Sequence, residues 1–275
     1  MKYLDWDDAF DNSGYVAGSE KLPDLWSRQA QAFRDSMAAA GRSELDIVYG
    51  DGERNRLDLF RTGGESRGLV VFIHGGYWHK LDKSFWSHLA EGALARGWNV
   101  AIAGYTLAPQ ARISDITLEI GAAITKAASL VDGPIRLIGH SAGGHLVSRM
   151  VCDDSPLEGG VRDRLAKVIS LSGVHDLRPL MLIGMNDILG LTEDEAASES
   201  PALHAPLPGI PVTFWVGASE RPEFLRQTRL ICETWALKRD GIADVYEPGK
   251  NHFTVVEGLA DKDSPLVTEL VREDG

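Results

Sequence analysis

The chain has 275 residues, 44% hydrophobic and 25% charged, with a formal net charge of −12. That length suits one large α/β domain or two small ones, and the composition is that of an ordinary globular protein. The acidic balance argues against nucleic acid and anionic membrane surfaces as partners, since both are held by clustered Lys and Arg.

Residues 1–44 read as a polar and aromatic arm carrying Tyr3, Trp6, Phe10, Tyr15, Trp26 and Phe33. Within it, Trp26, Ala30, Phe33 and Met37 fall at i, i+4, i+7 and i+11, which predicts a helix over residues 25–37 with one face packed on the body. Residues 45–49 and 56–60, around the turn Gly50-Asp51-Gly52, predict an antiparallel hairpin with alternating faces. The continuously apolar run 68–73 predicts a strand buried on both sides. A helical stretch over 83–96, a strand over 98–105 and an Ala/Ile-rich helix over 113–131 follow. Strands are then expected at 135–138, 165–172, 211–216 and 243–247, with helices after the first of these and over 223–239.

Strands alternating with helices of this length give a mostly parallel sheet with right-handed crossovers, covered by helices on both faces. Residues 174–210 break the alternation. They are rich in Leu, Met, Pro and acidic residues and are expected as a small cap-like insertion above the sheet. No repeat or linker divides the rest, so the expected organisation is the arm 1–44 packed on a single α/β domain over 45–275. Two cysteines, Cys152 and Cys232, stand in no C-x-x-C spacing and read as reduced, buried or half-buried thiols. The opening Met-Lys-Tyr-Leu-Asp-Trp-Asp-Asp lacks the apolar core of a secretory signal, and no apolar run approaches the roughly 20 residues of a membrane span. A soluble, cytoplasmic protein is the expectation.

Gly139-His140-Ser141-Ala142-Gly143 fits G-x-S-x-G between an apolar strand and a helix-compatible run, the setting of a nucleophile elbow. The glycines admit a sharp strand-to-helix turn that holds the Ser141 hydroxyl out at the sheet edge. Upstream, His74-Gly75-Gly76-Tyr77-Trp78 closes the first buried strand. Paired glycines there leave amides free to face an oxyanion, with the N–H of Ala142 as second donor. A base and an acid are then needed later in the chain, in the order Ser, acid, His. His252, in a loop after the last strand, is the candidate base; His74, His79, His88, His140, His145, His175 and His204 are weaker. Glu220, in the loop after strand 211–216, is the candidate acid. Asp176 is its serious rival, Glu223 is expected to cap a helix, and Asp187, Asp194 and Asp244 are remoter. His74, His79, Asp82 and His88 cluster without any known ligand spacing, so no metal is expected, and the absence of phosphate- or dinucleotide-binding turns leaves no cofactor.

His74-Gly75-Gly76-Tyr77-Trp78, Gly139-His140-Ser141-Ala142-Gly143-Gly144-His145, Asn251-His252-Phe253 and the Glu223-Phe224-x-x-Gln227 run together resemble the arylformamidase (kynurenine formamidase) group of α/β-hydrolases. The resemblance spans about residue 45 to the end. That group lies close to hormone-sensitive-lipase-like esterases, which usually carry a third glycine where this chain has Tyr77. The resemblance implies an α/β-hydrolase fold and cofactor-free hydrolysis of N-formyl-kynurenine to kynurenine and formate. It carries Ser141, Glu220 and His252 over as the triad, with oxyanion donors around Gly75 and Gly76. Many relatives have aspartate where Ser219-Glu220 stands. Tyr77, Trp78 and Trp86 are expected either to stack on an aryl substrate or to serve as packing residues. The expected partner is a small molecule, an aryl formamide or ester, and a homodimer is left open. A carboxylesterase for short acyl chains is the alternative enzyme, and a non-catalytic hydrolase-fold binding protein the alternative from another class.

Overall fold

The computed structural model describes residues 5–273; Tyr3 of the arm lies outside them. Eight strands form one sheet: β1 (Ser43–Val48), β2 (Arg56–Phe60), β3 (Leu69–Ile73), β4 (Asn99–Ala103), β5 (Ile135–His140), β6 (Leu165–Leu171), β7 (Val212–Gly217) and β8 (Ile242–Glu247). Their spatial order is β1-β2-β4-β3-β5-β6-β7-β8. The β1–β2 and β2–β4 pairs are antiparallel, and every pair from β4 to β8 is parallel. The α-helices are α1 (Trp6–Phe10), α2 (Leu22–Ala39), α3 (Glu91–Ala95), α4 (Ile113–Ala128), α5 (Ala142–Arg149), α6 (Gly159–Arg162), α7 (Asn186–Leu189), α8 (Glu193–Ser198), α9 (Pro222–Ala236) and α10 (Pro265–Val271).

Successive strand residues point to opposite faces, and β3 shows what that does here. Leu69, Val71 and Ile73 enter a core shared with α4, α5 and α9. Val70 and Phe72 enter a second core shared with α2, α3 and α10. Both faces are therefore apolar, which is why the strand reads as an unbroken hydrophobic run. From β3 the chain crosses first to β4 on one side and later to β5 on the other. Loops leaving β3 and β5 thus diverge, and the crevice between them is where an open α/β sheet binds ligands.

Three expectations need correction. The hairpin does not alternate: β2 is buried at four of its five positions, whereas β1 is mostly exposed. The reason is position, since β2 lies between β1 and β4 inside the sheet while β1 is its edge, broken by a register shift between Glu44 and Ile47. The helix expected over 83–96 is two 3-10 turns, Lys83–Phe85 and Ser87–Ala90, ahead of the short α3. Asp82 caps the first turn, and Lys83 is drawn down to Asp58 at 2.6 Å and Asp46 at 2.7 Å. Finally, the helix expected over 113–131 ends at Ala128.

The arm and the 174–210 segment are tied down by polar contacts. In α2, Trp26, Ala30 and Met37 are buried, and Phe33 packs edge-on against Phe60. α1 is held by Tyr77, whose hydroxyl donates to the Phe10 carbonyl, and by Arg221, which pairs with Asp8. Its Asp7 accepts the amide of Gly184 at 2.9 Å. Between 174 and 210 lie α7, α8 and the 3-10 turns Arg178–Leu182 and Pro201–Leu203. The buried Glu195 accepts from Ser114 and Arg112, and Glu199 accepts from Thr117 at 2.7 Å and Arg149 at 3.2 Å, so α8 is bonded to α4 and α5. Both cysteines are free and buried, as expected.

Leu137 of β5 is fully buried, whereas Leu237 is 90% exposed. Urea unfolding of Leu137→Ala is expected to show a loss of about 2–5 kcal/mol, and Leu237→Ala a change within about 0.5 kcal/mol.

Candidate functional site

The site begins where β5 turns into α5. Ser141 occupies φ 57°, ψ −116°, a conformation costing about 1–3 kcal/mol for a residue with a side chain. Its neighbours make the turn possible. A Cβ on Gly139 would lie 2.0 Å from the Gly143 carbonyl oxygen, and one on Gly143 would lie 2.0 Å from the Ile73 carbonyl oxygen. The Ser141 amide donates to the Leu171 carbonyl at 2.8 Å, and its own carbonyl accepts from His145 at 3.1 Å. The serine is thus fixed from β6 on one side and from α5 on the other.

His252 follows β8, and its Nδ1 lies 2.7 Å from Glu220 Oε2. A carboxylate can only accept, so Nδ1 carries the proton, and in the neutral ring Nε2 is left with its lone pair. The other oxygen of Glu220 accepts the amide of Gly217 at 2.9 Å and the hydroxyl of Ser172. Both side chains are buried. The rival acids are committed elsewhere. Asp176 forms a bidentate pair with Arg178 at 2.8 and 2.9 Å. Glu223 pairs with Arg226 at 2.7 Å and accepts from Gln227 at 2.8 Å. Gln227 in turn accepts the amides of His175 and Asp176 at 2.8 Å, holding the start of the 174–210 segment on α9.

Burial withdraws His74, His88, His140, His145 and His175. Loss of hydration pushes His74 and His88 down to about 4, and His145 and His175 down to about 3. His145 Nε2 lies 2.6 Å from the Glu199 carbonyl, and His175 Nε2 lies 2.8 Å from Ser170 Oγ. His140, next to the serine, is held well below the usual histidine range, first by burial and then by the nearby His252.

Gly75 lies against the elbow, since a Cβ on it would approach Ser141 Cβ to 2.9 Å. The turn after it runs through positive φ at Gly76 (116°), Tyr77 (50°) and Trp78 (58°). The Gly76 carbonyl is used by His79 and Lys80, but among the described residues no acceptor takes the amides of Gly76 or Tyr77. Ala142 opens α5, where the first amides have no intrahelical partner. Gly75, Gly76, Tyr77 and Ser141 border one cavity of about 520 Å³, also lined by His140 and His252.

Tyr77 lines that cavity, but Trp78 requires correction as a substrate-facing residue. It is fully buried, edge-on to His145 at 5.2 Å, because the left-handed turn swings it under the elbow helix. The aromatic wall is made instead by Trp26 and Trp86, with ring centroids 4.7 Å apart, together with Phe10 and Phe253. Asn12, Ile183 and Met185 complete it from the arm and the 174–210 segment. Sequence reasoning missed the Ser172 hydroxyl on Glu220; the available signal was Ser172-Gly173 closing a buried strand at the same sheet edge.

Known proteins resemble this chain in sequence and fold. Residues 70–274 match the Alpha/beta hydrolase family model. Kynurenine formamidase of Danio rerio is 28% identical over 239 residues, covering 82% of this chain and 80% of its own. Kynurenine formamidase of Drosophila melanogaster is 28% identical over 246 residues, covering 82% and 76%. A crystal structure from Silicibacter sp., provisionally labelled a thioesterase, superposes with TM-score 0.93 at 43% identity, covering 98% of this chain and 100% of that one. No helix among the described residues is long and apolar enough to cross a membrane. Because the family match takes in the elbow and nearly all of the parallel sheet, and the curated relatives align along most of their own length, the chain belongs to the α/β-hydrolase family as an arylformamidase-like enzyme.

Proposed function

We propose that the chain is a serine hydrolase that cleaves an aryl formamide, N-formyl-kynurenine by analogy with its relatives, through an acyl-enzyme on Ser141. The observation that carries this reading is the 2.7 Å Glu220–His252 pair, whose histidine lines an aromatic-walled cavity together with Ser141. His252 Nε2 takes the Ser141 proton as Oγ bonds to the formyl carbon. The resulting oxyanion is held by the amides of Ala142 and of the Gly75-Gly76-Tyr77 turn. His252 then protonates the departing aryl amine as the C–N bond breaks. Water, deprotonated by His252, attacks the formyl ester and releases formate, returning the proton to Ser141. The arm and the 174–210 segment supply the walls that select the aryl group.

Short-chain esters or thioesters are the second reading, favoured by the 43% identity to the Silicibacter protein. Steady-state assays of N-formyl-kynurenine, p-nitrophenyl acetate and a short acyl thioester separate the two. The formamide is expected to lead in kcat/KM. A clear lead for the ester or thioester leaves the site chemistry standing and replaces the substrate.

Ser141→Ala is expected to lower kcat by at least about 10³-fold on every substrate. Glu220→Gln keeps the shape but loses the charge that orients and stabilises the imidazolium, so kcat is expected to fall about 10²–10⁴-fold with KM nearly unchanged. Trp86→Ala removes part of the aromatic wall and is expected to raise KM for the aryl formamide by about 10-fold.

A further inference from the structure

His140 precedes the nucleophile, yet the mechanism above gives it no task. Its Nε2 lies 2.8 Å from the main-chain carbonyl oxygen of His252. A carbonyl only accepts, so Nε2 is the protonated nitrogen of His140, and the lone pair sits on Nδ1, which is buried and has no hydrogen-bond partner. The two imidazole rings are 4.8 Å apart and tilted by 42°. His140 is 4% exposed, so this bond is shielded from competing water.

The topology gives the bond its importance. β5 carries the serine and β8 leads to His252, with β6 and β7 between them. Three strand spacings separate them, roughly 14 Å, so the loop after β8 must reach back across the sheet edge to meet Ser141. Its near side is secured by Asn251, whose Oδ1 accepts from Phe253 and Thr254, and by the Ser219 amide on the Lys250 carbonyl at 2.9 Å. Those contacts set the loop relative to β7 and itself. The bond from His140 sets it relative to the strand that ends in the nucleophile.

We infer that His140 is a positioning residue: its Nε2–H pins the His252 main chain to the nucleophile strand and so sets the distance between Ser141 and His252. This rests on the reading of Ser141 and His252 as nucleophile and base. A misplacement of about 1 Å between reacting groups costs on the order of 10²-fold in rate, so the effect falls on kcat rather than on KM.

Two substitutions separate positioning from packing. A Gln amide nitrogen sits as many bonds from the backbone as histidine Nε2, whereas an Asn amide nitrogen reaches only the place of Nδ1. His140→Gln is expected to retain kcat to within about 5-fold, and His140→Asn to lose about 20-fold or more, with KM within about 3-fold in both. Equal kcat in the two variants, whether both near wild type or both low, overturns the inference. ¹⁵N NMR of the wild-type imidazoles provides a test independent of variant folding: His140 is expected to be neutral and protonated at Nε2, and the opposite tautomer overturns the inference as well. Ser141→Ala, run in parallel, distinguishes the two levels. Persisting turnover in that variant refutes the underlying reading. Its loss beside equal His140 variants refutes only the positioning role.

Discussion

The structure depends on one backbone reversal. At Ser141 the chain passes from strand to helix through a conformation that side-chain-bearing residues avoid, and it is kept there by contacts that leave no alternative. Gly143 lies so close to the Ile73 carbonyl that β3 and the start of α5 are effectively in backbone contact. The same turn exposes the first amides of α5, aims the serine at the crevice between the diverging loops of β3 and β5, and brings Gly75 against the serine. A strained residue of this kind persists only when its surroundings over-determine it, and here β3, β6 and α5 all do so.

Around that point the site is assembled from segments far apart in sequence. Glu220 comes from the end of β7, is braced by Ser172 from the end of β6, and orients a histidine that follows β8. All three segments meet at the carboxyl edge because parallel strands end on the same side. Hydrogen-bond partners then distinguish the buried histidines. His145 and His175 are kept neutral by lost hydration and bonded to a carbonyl and a hydroxyl, whereas His252 meets a carboxylate.

The cavity walls obey a different logic. The sheet supplies the reactive floor, but Phe10, Asn12 and Trp26 come from the arm, and Ile183 and Met185 from the segment after β6. The arm is latched at both sides of the site: Tyr77, in the turn after β3, holds Phe10, and Arg221, next to Glu220, holds Asp8. The parts to which the proposed function assigns substrate selection and chemistry thus come from separate stretches of the chain, joined by polar contacts and by the packing of Phe10 and Trp26 on the body.

What could be read in the residues alone were the features with local causes. A continuous apolar run marked β3, whose five positions are all buried, and β4 to β7 were legible as mostly apolar runs although buried polar residues such as Arg136, Lys167 and Thr213 interrupt them. The elbow was legible because its strand–turn–helix setting demands glycines beside the serine, and the candidate acid and histidine were sought later in the chain because that motif is followed by acid and then histidine. Only the tertiary structure decided features that depend on neighbours distant in sequence. The edge position of β1 erased its alternation, and two tight turns, the first holding Lys83 paired with Asp58, stand where a helix was expected. A left-handed turn sent Trp78 into the core while leaving Tyr77 at the cavity, though the two are adjacent and equally aromatic. Glu220 meets His252 whereas Asp176 pairs with Arg178, two residues along, and neither partnership can be read from spacing in the chain.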